Sequence, residues 1–318
     1  MCLATLMVGI IAAPGTGTAQ VYPNRPLRII VPFPPGSASD TVARILGNKL
    51  TEQLGQPIIV DARPGASGVI GVEAARIAPP DGYTVLLGGF AVLALLPALK
   101  PNLPYDPDKD FIALSRVASG AYVVAVHPSL GVSTVAGLVR LAKAKPGQLN
   151  YGSSGNGAPQ HLAGEMFNVL AGVKTVHVPY KGAVLALNDL IAGQLQFIMA
   201  SPIFVMPHAK TARIKVIATT GAKRDPLLPE LPTVADAIPG FELTPWLGLA
   251  VPAKTPPLAV NKLHAEIVKA MQSTEVREQF AKQNAMTHAE SPAEFTAFIK
   301  AERERIGRVS RQDGITLE

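Results

Sequence analysis

Two segments of this chain combine residue types that can hold an anion without a charged side chain. Pro34-Pro35-Gly36-Ser37-Ala38-Ser39-Asp40-Thr41 joins a glycine to small side chains ahead of an apolar helical stripe at Val42, Ile45, Leu46, Leu50 and Leu54. Tyr151-Gly152-Ser153-Ser154-Gly155-Asn156-Gly157-Ala158 is richer still in glycine and serine, and Gln160 and His161 follow in the first turn of the next helix. Small side chains leave backbone N–H groups open, and a helix N-terminus adds partial positive charge, so both segments favour an anion. Neither contains lysine or arginine; a carboxylate gripped between two such helix ends needs neither. A plainer role is open for the first segment, in which Ser39 or Asp40 is an ordinary N-cap.

A third segment, Val178-Pro179-Tyr180-Lys181-Gly182-Ala183, has the same placement between apolar runs. Tyr180 can close over a ligand and Lys181 can add charge, or the two can be a packing ring beside a solvated amine. Arg63-Pro64-Gly65-Ala66-Ser67-Gly68 is a fourth glycine-rich turn, suited to bracing a cleft. Catalytic readings find less support. The chain has no G-x-S-x-G elbow, no phosphate loop ending in G-K-[ST] and no H-E-x-x-H pair. His161 and Glu165 share a helical face but lack further paired metal ligands, and His161 near Ser153 or Ser154 offers only a loose nucleophile and base. The expectation is therefore a binding protein with no catalytic set, no metal and no cofactor; a hydrolase using the same cleft is the alternative, as is a sensor for a signalling partner. Trp246 and Phe241 read as core or packing aromatics.

These segments need elements to position them, and the apolar pattern supplies an α/β alternation. Strands are expected at 27–33, 57–60, 84–87, 122–126, 149–152, 175–178, 195–200 and 214–218. Helices are expected at 42–54, 68–77, 135–145, 158–170 and 184–192, with a largely helical stretch over 257–311. Such alternation predicts parallel-rich sheets flanked by helices, with ligands bound where strands turn into helices. At 318 residues the chain has room for two lobes. The expected division is 21–126 with 250–318 as lobe one and 127–249 as lobe two. Hydrophobic residues form 48% of the chain and charged residues 16%, which excludes a disordered chain. The net charge of +6 is spread without any run of five like charges, so nucleic acid is not an expected partner. The only cysteine is Cys2, and residues 1–20 hold no charged side chain, an apolar run and then small residues. That segment reads as a signal peptide, and the protein as exported.

Read in order, the chain resembles the solute receptors of tripartite tricarboxylate transporters, the Bug receptors, from about Tyr22 to its end. The resemblance rests on Tyr22-Pro23-Asn24-Arg25-Pro26, Val31-Pro32-Phe33-Pro34-Pro35-Gly36 with Asp40, and Arg63-Pro64-Gly65-Ala66. It continues through Pro79-Pro80-Asp81-Gly82-Tyr83-Thr84, Leu103-Pro104-Tyr105-Asp106-Pro107, Ser153-Ser154-Gly155-Asn156-Gly157 with His161, Val178-Pro179-Tyr180-Lys181-Gly182, and Trp246-Leu247-Gly248-Leu249. It implies a two-lobed, type II-like periplasmic binding protein with a ligand cleft between lobes, monomeric, delivering a small organic carboxylate to membrane permease subunits. The ligand-binding positions that the resemblance carries over are Gly36, Ser37, Ala38, Ser39, Asp40, Ser153, Ser154, Gly155, Asn156 and Gly157; Phe33, Phe90, His161, Tyr180 and Lys181 complete the expected site. Asp40 is expected to help discriminate the ligand. Two departures stand out. Ser37 replaces a usual second glycine, and Gly89-Phe90-Ala91-Val92-Leu93-Ala94-Leu95-Leu96-Pro97 is apolar where the family tends to be polar. The second suggests an aromatic or partly apolar carboxylate.

Overall fold

The computed structural model describes residues 22–314, so the expected signal segment 1–20 lies outside the described residues. The chain begins with β1 (Leu27–Val31), α1 (Ala38–Leu54), β2 (Ile58–Ala62), α2 (Val69–Arg76), β3 (Thr84–Gly89), a π-helical turn (Phe90–Leu95), α3 (Leu96–Leu99), α4 (Pro107–Asp110) and β4 (Phe111–Ser119). It continues with β5 (Val123–Val126), α5 (Val135–Ala144), β6 (Asn150–Ser153), α6 (Pro159–Ala171), β7 (Val176–Pro179), α7 (Ala183–Ile191), β8 (Phe197–Ala200), α8 (Pro202–Lys210) and β9 (Lys215–Thr219). It ends with β10 (Trp246–Pro252), α9 (Pro257–Gln272), α10 (Thr274–Lys282), β11 (Met286–Thr287) and α11 (Pro292–Asp313).

Two sheets result, ordered β11-β4-β10-β3-β1-β2 and β7-β6-β8-β5-β9. The expected parallel sense holds only where a helix joins neighbouring strands, as in β2-β1-β3 and β7-β6-β8. β10 runs antiparallel to β3 and β4, and β5 antiparallel to β8 and β9. Each of these two strands is the first its sheet receives after a crossing from the other sheet. No strand–helix–strand crossover precedes it, so nothing imposes the parallel sense.

The chain leaves the first sheet after Ser119 and enters the second at Val123; it returns between Thr219 and Trp246. The expected exchange points, 126/127 and 249/250, are therefore displaced: β5 pairs in the second sheet, and the whole of β10 pairs in the first. His127-Pro128 and Val251-Pro252 mark strand ends, which proline punctuates as readily as a crossing.

Packing explains why these segments take these forms. Val42, Leu46 and Leu50 of α1 bury against Leu27, Ile29 and Val31 of β1, each contributing roughly 1.5–3 kcal/mol by leaving water. Gly55, at φ 65°, ends α1 in the left-handed conformation that glycine adopts without strain. Val92 to Leu96 pack in one core with Leu162, Met166 and Phe167 of α6 and with Ile299 and Ile306 of α11. That shared core joins elements of both sheets and fixes the backs of the loops described next.

Candidate functional site

The C-terminal ends of β1, β3, β6, β7 and β8 open onto a single cavity of about 850 Å³ between the two sheets. From the first sheet's side it is lined by Phe33, Gly36, Ser37, Ala38, Ser39 and Phe90. From the second it is lined by Ser154, Gly155, Gln160, Tyr180 and Lys181. The two glycine- and serine-rich loops thus face a common space.

Helix ends contribute to its electrostatics. The N-termini of α1, α6, α7 and α8 all border the cavity. Ser37 caps α1 by accepting from Asp40 N at 3.2 Å, so neither Ser39 nor Asp40 is the N-cap. α6, α7 and α8 have no side-chain cap; α6 and α8 open on Pro159 and Pro202, which carry no N–H, so α7 keeps more leading donors than either. Lys181 is the only charged side chain among the described lining residues. Each helix end adds partial positive charge to that of Lys181.

Five of the expected site residues do not line the cavity, and each has a structural occupation instead. Asp40 is 4% exposed; its carboxylate accepts from Gly36 N at 3.0 Å and pairs with the Arg44 guanidinium at 3.0 and 3.1 Å. It shapes the Gly36 turn from beneath and does not face the space where a guest would be discriminated. Ser153 is buried, with Oγ 2.6 Å from His177 Nε2 and 3.0 Å from Gly155 N. Asn156 contributes only its carbonyl oxygen, to Ser67. Gly157 N donates to His161 Nδ1 at 3.2 Å. The His161 ring lies flat on His177, centroids 3.8 Å apart and planes within 10°. Burial pushes both imidazoles down to about 4, and for His177 the His161 ring adds to the effect. Asp40, Ser153 and His161 are buried within their own lobes, whereas Asn156 is exposed outside the cavity lining.

The same geometry bears on the nucleophile reading. The imidazole bonded to Ser153 is that of His177, on β7, and not that of His161, while Ser153 itself is enclosed. Ser154 does reach the cavity, but its hydroxyl donates to Gln160 Oε1 at 3.0 Å, an amide that cannot take the proton. Tyr180 is held as a wall: its hydroxyl donates to Asp189 at 2.6 Å, and desolvation together with that bond pushes it up to about 12.

Of the apolar stretch 89–97, only Gly89, Phe90 and Ala91 touch the cavity, while Val92 to Leu96 are core. The carbon surface comes mostly from residues the sequence did not single out, notably Tyr122, Val184, Leu185, Ile203 and Phe204, together with Trp246. Trp246 also packs edge-on against Phe295 and Phe298, as its reading as a packing aromatic implies. The turn Ala200-Ser201-Pro202, another strand end running into a helix, was the available signal for Ile203 and Phe204. Among the described residues no group of three His, Cys, Asp or Glu side chains is placed to hold a metal ion, and no helix is long and apolar enough to cross a membrane.

Comparison with known proteins gives consistent relatives. A family model described as tripartite tricarboxylate transporter family receptor matches residues 42–315. The protein BugT of Bordetella pertussis is 34% identical over 310 residues, covering 97% of this chain and 94% of its own. The structure of Rhodopseudomonas palustris Rpa4515 with adipate superposes with a TM-score of 0.88 at 32% identity, covering 93% of this chain and 99% of that one. MatC from Rhodopseudomonas palustris with bound malate gives 0.84 at 27% identity, over 91% and 99%.

Proposed function

Because this chain belongs to the tripartite tricarboxylate transporter receptor family, we propose that it captures a small organic carboxylate in the cavity between its sheets and delivers it to permease subunits. The observation that carries this reading is the convergence of two donor-rich turns, Gly36 to Ser39 and Ser154 to Gly155, on one space bordered by four helix N-termini. A carboxylate there receives backbone N–H and hydroxyl donors from both lobes at once, and only such shared contacts favour a closed cleft. Relatives crystallised with adipate and malate support the ligand class. Lys181 supplies the remaining charge, and Phe33, Phe90 and Tyr180 bound the rest of the guest, whose body is expected to be partly apolar.

The protein works as a periplasmic monomer and performs no chemistry on its ligand. Ser154 has no base, and Ser153 has no access to the cavity. Thermal-shift screening over small carboxylates tests the assignment: a ligand at 100 times its Kd adds about 2.7 kcal/mol of stability. A melting curve unmoved by every carboxylate tried would sink it.

A further inference from the structure

We infer that the site is built for a carboxylate bearing one negative charge and an aromatic or branched apolar body, seated on a carbon wall made by Val184, Leu185, Ile203 and Phe204. The inference rests on the carboxylate-receptor reading above and narrows its ligand class.

The wall is visible as misplaced hydrophobicity. Val184 and Leu185 are 46% and 49% exposed, consecutive residues in the first turn of α7. Ile203 and Phe204 are half-buried in the first turn of α8. All four line the cavity, with Phe33, Phe90 and Leu247 also on its lining from the first sheet's side. Contiguous exposed carbon inside a concave site marks a surface kept for a guest. The volume, about 850 Å³, exceeds what a four- to six-carbon chain needs and lies in the range of larger organic ligands.

Charge points the same way. Lys181 is the lone charged side chain in the described lining, and it lies beside the α7 N-terminus. One carboxylate satisfies that field together with the α1 and α6 turns. A second would have to leave water against aliphatic and aromatic side chains, which is costly without a new partner. The competing arrangement places it on the leading N–H groups of α7, and a binding comparison separates the two.

The test is titration calorimetry on the mature chain with benzoate, phenylacetate and 4-methylpentanoate set against succinate, adipate and malate. The monocarboxylates are expected to bind at least tenfold more tightly. Leu185→Asn and Ile203→Asn, both at exposed or half-exposed positions, are expected to weaken the best monocarboxylate about tenfold each. Unchanged circular dichroism and melting temperature would show that the fold is kept, and Val184→Asn serves if either variant fails to fold. Ile203→Arg, which adds a second cation, is expected to reverse the preference toward the dicarboxylates. Wild-type protein that binds a dicarboxylate as tightly as the monocarboxylates overturns the inference and leaves the receptor reading intact. A chain that binds none of the six acids overturns both.

Discussion

The hydroxyl of Ser67, in the loop after β2, donates to the carbonyl oxygen of Asn156, in the loop after β6, so a single hydrogen bond ties the two sheets' loops together across the cleft. Ser67 is held for this at φ 55°, within a run of four positive-φ residues that includes Ala66 at 48°. Serine and alanine pay roughly 1–2 kcal/mol there where glycine pays almost nothing. Strain of this kind beside a binding site is retained where the surrounding structure uses it. Ser67→Gly is therefore expected to leave the melting temperature unchanged or raise it, while weakening carboxylate binding about fivefold, the worth of one net hydrogen bond. Ser67→Ala should weaken binding equally without relieving the strain. Calorimetric titration of both decides it, and unaltered affinity in Ser67→Gly would show that the bridge plays no part in capture.

The stacked pair His161 and His177 makes the fold acid-sensitive. Both titrate near 4 in the folded chain against about 6.5 when unfolded, so the unfolded chain takes up protons first. Stability is full above pH 6.5 and declines as pH falls from there toward 4. His288, desolvated and near Arg116, acts with the same sign. Melting temperatures measured from pH 7.5 to 4.5 should drop steadily. His161→Asn keeps an acceptor for Gly157 N but cannot take up a proton, and it should flatten that slope.

Gly71 of α2 sits against the strand end that leads to the Gly36 turn. A Cβ added there would lie 2.6 Å from Pro32 Cα and 2.8 Å from the Arg63 carbonyl oxygen, both backbone atoms that cannot rotate away. Gly71→Ala is expected to cost about 1–3 kcal/mol, overriding alanine's helical advantage of about 1 kcal/mol, and to weaken binding by displacing the turn. Gly36→Ala meets nothing within 4 Å, so only its φ of 76° opposes it. Its stability cost should be near 1–2 kcal/mol. Urea midpoints for the two variants give the comparison.

Alanine at Ser153 and Ser154 should have different consequences. Ser153→Ala removes the partner of His177 Nε2 and of Gly155 N, both part-buried, which costs about 1 kcal/mol of stability. Ser154→Ala removes a cavity-facing hydroxyl and should reduce affinity with little change in stability. Neither should alter ester turnover, and measurable hydrolysis by wild type that is abolished in one of them would restore the enzyme reading.

The sequence by itself determined the local frame of this protein. Apolar spacing at Val42, Leu46 and Leu50 and the strand before Pro32 define a strand, a small-residue turn and a helix, because these are short-range regularities of one segment. The turns at 36–40 and 153–157 were legible as turns for the same reason, although Asp40, Ser153, Asn156 and Gly157 do not line the cavity. Their chemistry is backbone chemistry, and small side chains announce it. Tertiary structure alone decided which neighbours those turns received. It set Asp40 beneath the loop, paired Ser153 with His177 instead of His161, ran β5 and β10 antiparallel, and assembled a carbon wall from α7 and α8. Each of those outcomes depends on contacts between residues far apart in the chain, and such contacts leave no periodicity in the sequence of either partner.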